Sequence, residues 1–187
     1  MIGFDIDGVL LDYYTTFRLY LMDKYKINLP EIPESYTLNH FLNKYTKIDE
    51  RKLIYEFELS GNLVYVPAYD EASTVTQQIK KLGHKIILMT SRNYILGQKV
   101  IDDTVKSLKL NDIAYDDIVF TDDKLYVIKN YFPVLCFTDD NIEVARTLQK
   151  GGVITFLIDR NNIYKNIEDI RKISTLDELL YKLIKRR

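Results

Sequence analysis

The 187-residue chain has no tryptophan, one cysteine, four prolines and seven glycines. A single cysteine, Cys136, excludes a disulfide within the chain. Its setting, Pro133-Val134-Leu135-Cys136-Phe137, reads as a buried strand thiol. No run approaches the roughly 18 apolar residues of a membrane span. No signal-peptide pattern precedes the first apolar run, so a soluble, cytoplasmic protein without a membrane partner is expected. An excess of one charge is missing too. The 26 basic residues stand against 27 acidic ones, which leaves no broad positive footprint for nucleic acid. Lys185-Arg186-Arg187 is short and suits a solvated helix end. Repeats and low-complexity segments are absent, and His40 and His84 stand at no metal-ligand spacing. What is present is an apolar fraction of 47%, enough for a sizeable core, with 15 Tyr and 8 Phe. The length suits one domain with an insertion, or two small ones.

The rest of the chain is organised around residues 1–12. Met1 to Phe4 reads as a strand, and it ends in Asp5 and Asp7 with Ile6 between them. Alternation along an extended backbone sends both carboxylates to one side. Gly8 then permits a bend that a Cβ would hinder. Two acids closing an apolar strand are costly without a cation nearby. In an open α/β sheet the carboxyl ends of strands are where ligands bind. Magnesium-assisted phosphoryl transfer follows, with one acid as nucleophile and the other as proton donor. A calcium loop would need further acids, a Glu at its twelfth position and flanking helices. Here Val9-Leu10-Leu11 follows instead.

Downstream, the spacing predicts helices over 10–26, 38–45 and 50–59, with no strand-like alternation between Asp12 and Val66. From residue 67 helices and strands alternate. Helices are predicted over 70–82, 97–108, 124–131, 142–149 and 174–185. Strands are predicted over 85–89, 117–120, 133–138 and 153–157. That order implies an α/β fold: a Rossmann-like parallel sheet with helices on both faces. Residues 1–11 and 67–187 form the expected core, and 12–66 a small helical cap inserted after the first strand. Polar residues gather at four strand ends: Asp5/Asp7, Thr90/Ser91, the Lys124 region and Asp139/Asp140. In a parallel sheet these ends share one edge. Each also has a plainer reading. Thr90-Ser91 and Asp139-Asp140 could cap the helices that follow, and Lys124 could be a solvated helix lysine. Asp102-Asp103 and Asp116-Asp117 read as solvated.

Phe4-Asp5-Ile6-Asp7-Gly8-Val9 resembles the first motif of the haloacid dehalogenase (HAD) superfamily. Met89-Thr90-Ser91-Arg92 is similar to the second motif, Asp122-Asp123-Lys124-Leu125 to the third, and Phe137-Thr138-Asp139-Asp140-Asn141 to the acidic fourth. The resemblance covers roughly residues 1–12 and 66–160. It implies Asp5 as nucleophile, Asp7 as acid and base, and Lys124 as the cation on the phosphoryl group, with Lys129 as the competing lysine. Asp5, Asp7, Asp139 and Asp140 are the implied Mg2+ ligands, without a choice between Asp139 and Asp140 for direct contact. Thr90 and Ser91 compete as phosphate ligand, and the pattern of related nucleotidases favours Thr90. Arg92 and Arg18 are candidate substrate contacts, with solvated arginines as the default.

An acid at position 7 indicates phosphatase or mutase chemistry. The superfamily's ATPases usually carry Thr there, and its dehalogenases lack the pair. Two carboxylates about 4 Å apart repel by ~4 kcal/mol at an effective dielectric near 20, so a metal-free site is expected to be strained. The short cap, the paired acids, Leu157-Ile158-Asp159-Arg160-Asn161-Asn162 and Ile173 to Leu179 resemble the 5'(3')-deoxyribonucleotidase-like branch. They depart from its usual form after the fifth strand. The resemblance implies a magnesium-dependent phosphomonoesterase acting through an aspartyl phosphate on a nucleoside monophosphate. Alternatives are a phosphatase for another small phosphorylated metabolite and a non-catalytic binding protein. A homodimer is compatible with the sequence. Tyr13, Tyr14, Phe17 and Tyr20 suit either base stacking or packing within the cap.

Overall fold

The computed structural model describes residues 1–35, 38 and 41–185. Six parallel strands lie in the order β3-β2-β1-β4-β5-β6. They are β1 (Ile2–Phe4), β2 (Ile86–Thr90), β3 (Asp117–Phe120), β4 (Cys136–Asp139), β5 (Thr155–Ile158) and β6 (Arg171–Ile173). The strand order reverses between β1 and β4, which makes their carboxyl ends the crevice of the fold. Gly3 lets the Phe137 ring lie against β1; a Cβ there would stand 2.3 Å from the ring.

The helices are α1 (Tyr13–Tyr25), α2 (Glu50–Leu59), α3 (Ala72–Lys81), α4 (Gln98–Leu110), α5 (Lys124–Asn130), α6 (Ile142–Lys150) and α7 (Leu176–Ile184). The alternation of β2 assigns them to faces. Ile86 and Leu88 pack in one cluster with Val75 and Ile79 of α3, Val100 and Leu108 of α4, and Leu176 and Leu179 of α7. Ile87 and Met89 pack in another with Val127 and Ile128 of α5 and Leu148 of α6. Helices therefore cover both faces, as predicted.

Four local expectations need correction. The helix predicted over 10–26 begins at Tyr13, because residues 6–11 form a turn and Asp12 caps α1 by accepting from Thr15 N–H. In that over 38–45, Leu42–Lys44 form a 3-10 turn rather than part of an α-helix; Asn39 and His40 lie outside the described residues, as do Arg186 and Arg187. The edge strand β6 was not predicted. Asp103 and Asp116 are not simply solvated: Asp103 is buried beside Lys99, and Asp116 pairs with Lys80 and accepts from Ile86 N–H.

The helical stretch leaves and rejoins the sheet through one backbone junction. Asp12 N–H donates to Pro67 carbonyl at 2.8 Å and Tyr69 N–H to Leu10 carbonyl at 3.0 Å. Between those points Tyr13, Phe17 and Tyr20 gather around Phe57 of α2 at centroid distances of 5.1, 5.3 and 5.3 Å. None of the described helices is long and apolar enough to cross a membrane.

Candidate active site

A cleft of about 460 Å³ lies over the carboxyl ends of β1 and β4, walled by residues from α1 and α2. Asp5 is delivered by the last turn of extended chain after β1, its N–H bonded to Thr138 carbonyl at 2.9 Å. Lys124 is the first residue of α5, whose start is fixed by Asp123 accepting from Tyr126 N–H. The buried Lys124 ammonium donates to Asp5 Oδ1 at 2.5 Å and to Asp139 Oδ2 at 2.7 Å. Lys129, the competing lysine, is exposed. Asp139 does not cap α6; Asn141 does, accepting from Glu143 and Val144 N–H.

Asp140 is the next residue on the same edge and lies against Gly8. At φ +75°, Gly8 occupies the left-handed region, and a Cβ there would stand 1.9 Å from Asp140 Oδ2. The bend anticipated from the sequence is thus also a close approach.

Asp7 is held from the other side. Arg92 Nε donates to Asp7 Oδ2 at 2.8 Å and Nη2 to Oδ1 at 2.6 Å, a two-pronged fork. Its remaining Nη1 donates to Thr104 Oγ1 of α4 at 3.0 Å. Arg92 is only 2% exposed, so the expectation of a solvated arginine does not hold. Its counter-charge lies 85 residues away in sequence. Arg18 is half-buried and does not line the cleft. Thr90 is buried, and its hydroxyl accepts from Arg92 N–H at 3.2 Å, whereas Ser91 is exposed on the cleft wall. Of the four aromatics, Tyr13 and Tyr14 line the cleft; Phe17 and Tyr20 do not.

Sequence reasoning missed Glu58 and Asn93. Glu58, on α2, is 3% exposed and accepts through Oε2 from Asn93 N–H at 3.1 Å and Asn93 Nδ2 at 2.7 Å. A helix position in a single sequence carries no sign of such a partner. The signal within reach was Asn93 itself, adjacent to the second motif.

The electrostatics follow from the count. Asp5, Asp7, Asp139 and Asp140 face Lys124 and Arg92, so carboxylates outnumber cations by two. Burial pushes the Asp5 carboxyl up to about 7, Lys124 opposing it and Asp139 and Asp7 adding to it. Asp140 is pushed well above the carboxylate range by burial, then by Asp5 and Asp139. At Lys124 burial disfavours the charge, but Asp139 and Asp5 outweigh it and the ammonium is held. Among the described residues no three acid, His or Cys side chains converge closely enough to enclose a metal as they stand. Lys124 lies between Asp5 and Asp139, and Asp7 is turned to Arg92.

The comparisons agree with this geometry. The family "5' nucleotidase, deoxy (Pyrimidine), cytosolic type C protein" matches residues 1–184. The chain belongs to this nucleotidase family. It is accordingly a hydrolase of phosphoric monoesters. The "Putative 5'(3')-deoxyribonucleotidase" of Chlorobaculum tepidum is 26% identical over 192 residues, covering 99% of this chain and 90% of that protein. A "predicted phosphatase" from Clostridium acetobutylicum superposes with a TM-score of 0.65 at 15% identity, over 98% of this chain and 97% of that one. A haloacid dehalogenase-like hydrolase from Streptococcus pneumoniae gives 0.63 at 12% identity, over 97% of each chain. The chain thus has the HAD fold.

Proposed function

We propose that the protein is a magnesium-dependent 5'-nucleotidase that works through a phosphorylated Asp5. The observation that carries this reading is the Lys124 ammonium shared by Asp5 and Asp139 at the mouth of adjacent strands. In this reading an Asp5 oxygen attacks phosphorus in line, the bond to the leaving oxygen breaks, and Asp7 gives that oxygen its proton. Water then attacks phosphorus, Asp7 takes the proton, the Asp5–phosphorus bond breaks and phosphate departs. Lys124 and the Ser91 hydroxyl hold the equatorial oxygens. The cleft position of Ser91 makes it the better hydroxyl ligand, and buried Thr90 braces the Arg92 loop. Arg92 orients Asp7; each carboxylate oxygen keeps a second lone pair for the leaving group.

The residues fit a magnesium ion in donor type and charge. Their carboxylates are hard oxygen ligands with two negative charges in excess, and burial, with mutual repulsion added to it, raises Asp5 and Asp140. Asp5, Asp140 and Asp139 would hold the ion, and it would offset the charge that accumulates on the phosphoryl group. We assign residues 12–66 as the cap that shapes the leaving-group side, on the strength of the junction at Leu10–Asp12 and Pro67–Tyr69. A cytoplasmic setting suits the lone buried thiol of Cys136.

The test is phosphate release from nucleoside and deoxynucleoside monophosphates, an aryl phosphate and a sugar phosphate in Mg2+, with Asp5→Asn alongside. Release from nucleotides that falls by about 10³-fold or more in Asp5→Asn is expected. Turnover of the sugar phosphate but of no nucleotide would reject the nucleotidase reading.

A further inference from the structure

The wall opposite the carboxylate cluster is unusual in charge. Beyond the four acids of the cluster, Asp12, Glu31, Glu58 and Asp122 line the cleft. The lining cations among the described residues are Arg92, Lys124 and Arg160. All three are already engaged. Arg92 forks onto Asp7, and Lys124 bridges Asp5 and Asp139. Arg160 donates to Glu71 Oε1 at 2.6 Å and to Val9 carbonyl at 2.8 Å, and its Nε is sealed from solvent. A second anionic group on a substrate therefore meets acids and no free cation. Within that wall Glu58 differs from its neighbours. It is almost wholly buried, both bonds from Asn93 fall on Oε2, and Oε1 accepts from none of the described residues. A buried acceptor left open towards a ligand cleft discriminates strongly, because a ligand without a donor leaves it unpaired.

We propose that Glu58 selects the leaving group, its Oε1 accepting a hydrogen bond from a hydroxyl or amino donor on an otherwise uncharged alcohol portion of the phosphomonoester. The inference rests on the phosphatase reading above. It makes the helical stretch a reader of substrate chemistry through one residue of α2. It also excludes substrates whose organic part carries a carboxylate or a second phosphate.

The experiment compares kcat/KM of the wild type, E58Q and E58A in Mg2+ on five substrates. These are deoxycytidine 5'-monophosphate, deoxyuridine 5'-monophosphate (amino group lost), 2',3'-dideoxycytidine 5'-monophosphate (hydroxyl lost), an aryl phosphate (no donor) and phosphoglycolate (second anion). The wild type should favour deoxycytidine monophosphate over the aryl phosphate and one of the two analogues by about tenfold or more, as expected for a hydrogen bond to a charged group. The disfavoured analogue identifies the donor. In E58A that preference should fall to within about twofold. In the near-isosteric E58Q the single amide oxygen is claimed by the two Asn93 donors, which leaves an NH2 towards the cleft, so the preference should fall as in E58A while the discrimination against phosphoglycolate relaxes several-fold. Unchanged ratios in E58A and E58Q, or a wild type that prefers phosphoglycolate, would overturn the inference while leaving a phosphatase in place. No hydrolysis of any substrate, the aryl phosphate included, would overturn the phosphatase reading and this inference with it.

Discussion

Asp5 and Asp7 stand two residues apart yet are held by different cations on different parts of the molecule. Asp5 shares a lysine point charge with Asp139, and the set comes from the residue that follows β1, the last residue of β4 and the first of α5. Asp7 sits in an arginine fork braced by Thr104 of α4, and the next residue, Asn93, is held by Glu58 of α2. The nucleophile side is thus built on the sheet and its own helices. The Asp7 side, which gives and takes the proton in the proposed mechanism, is wired into the helical stretch through Asn93 and Glu58. A point charge tolerates a range of approach directions, whereas a fork fixes one plane. This division matches the two tasks: phosphorus chemistry that is the same for every substrate, and leaving-group chemistry that differs between them.

Removing the lysine should break the first half most severely. Lys124→Met leaves Asp5 and Asp139 buried without their counter-charge, at ~3–5 kcal/mol of stability. Activity should fall by about 10³-fold in steady-state assays with Mg2+. Retention of near-normal turnover would mean that the shared ammonium is only structural. The second half should be sensitive to shape rather than charge. Arg92→Lys keeps the positive charge but not the fork, and kcat should drop by about 10- to 10²-fold. A fully active Arg92→Lys would dissolve the distinction between the halves.

Acidity bears on the first half as well. Asp5 rises from its ordinary 3.8 to about 7 on folding. Between those values the folded state holds a proton that the unfolded chain has released. Stability of the metal-free protein therefore declines as pH rises through that window, by at most about 1.4 kcal/mol per pH unit for each such group. Asp140 contributes in the same direction. Thermal melts from pH 4.5 to 7.5 should show the decline without Mg2+. Magnesium at a hundredfold over its Kd should add about 2.7 kcal/mol and raise Tm by roughly 5–10 °C. An unchanged melting curve in saturating Mg2+ would contradict the metal assignment. The smallest expected effect is at the bend that follows Asp7. Gly8→Ala combines a left-handed backbone with a clash on Asp140, and should cost ~1–3 kcal/mol by chemical denaturation.

What was legible in the sequence was local or repeated. Five strands announced themselves as short apolar runs, and polar residues at their ends gave Asp5, Asp7, Lys124 and Asp139 before any contact was known. Strand β6, Arg171-Lys172-Ile173, is three residues long with one buried side chain, too little pattern for periodicity to register. Within the 38–45 stretch, the described residues 42–44 take a 3-10 turn where the apolar spacing predicted an α-helix. Arg92 was legible only as a candidate substrate contact and Glu58 not at all, because their partners are long-range: Asp7 is 85 residues from Arg92, and Asn93 is 35 from Glu58. A charged residue reads as solvated until its counter-charge is placed. Which of the Thr90 and Ser91 hydroxyls the chain buries under the loop is a fact of the same kind.

The most direct test of the account is intact-protein and peptide mass spectrometry after rapid mixing with a turned-over substrate in Mg2+ and acid quench. One phosphoryl group on the peptide containing Asp5, absent in Asp5→Asn, is the predicted result. Steady turnover with no phosphoryl group on that peptide, at any quench time and with Asp5→Asn still active, would contradict it and assign the attack on phosphorus to another group.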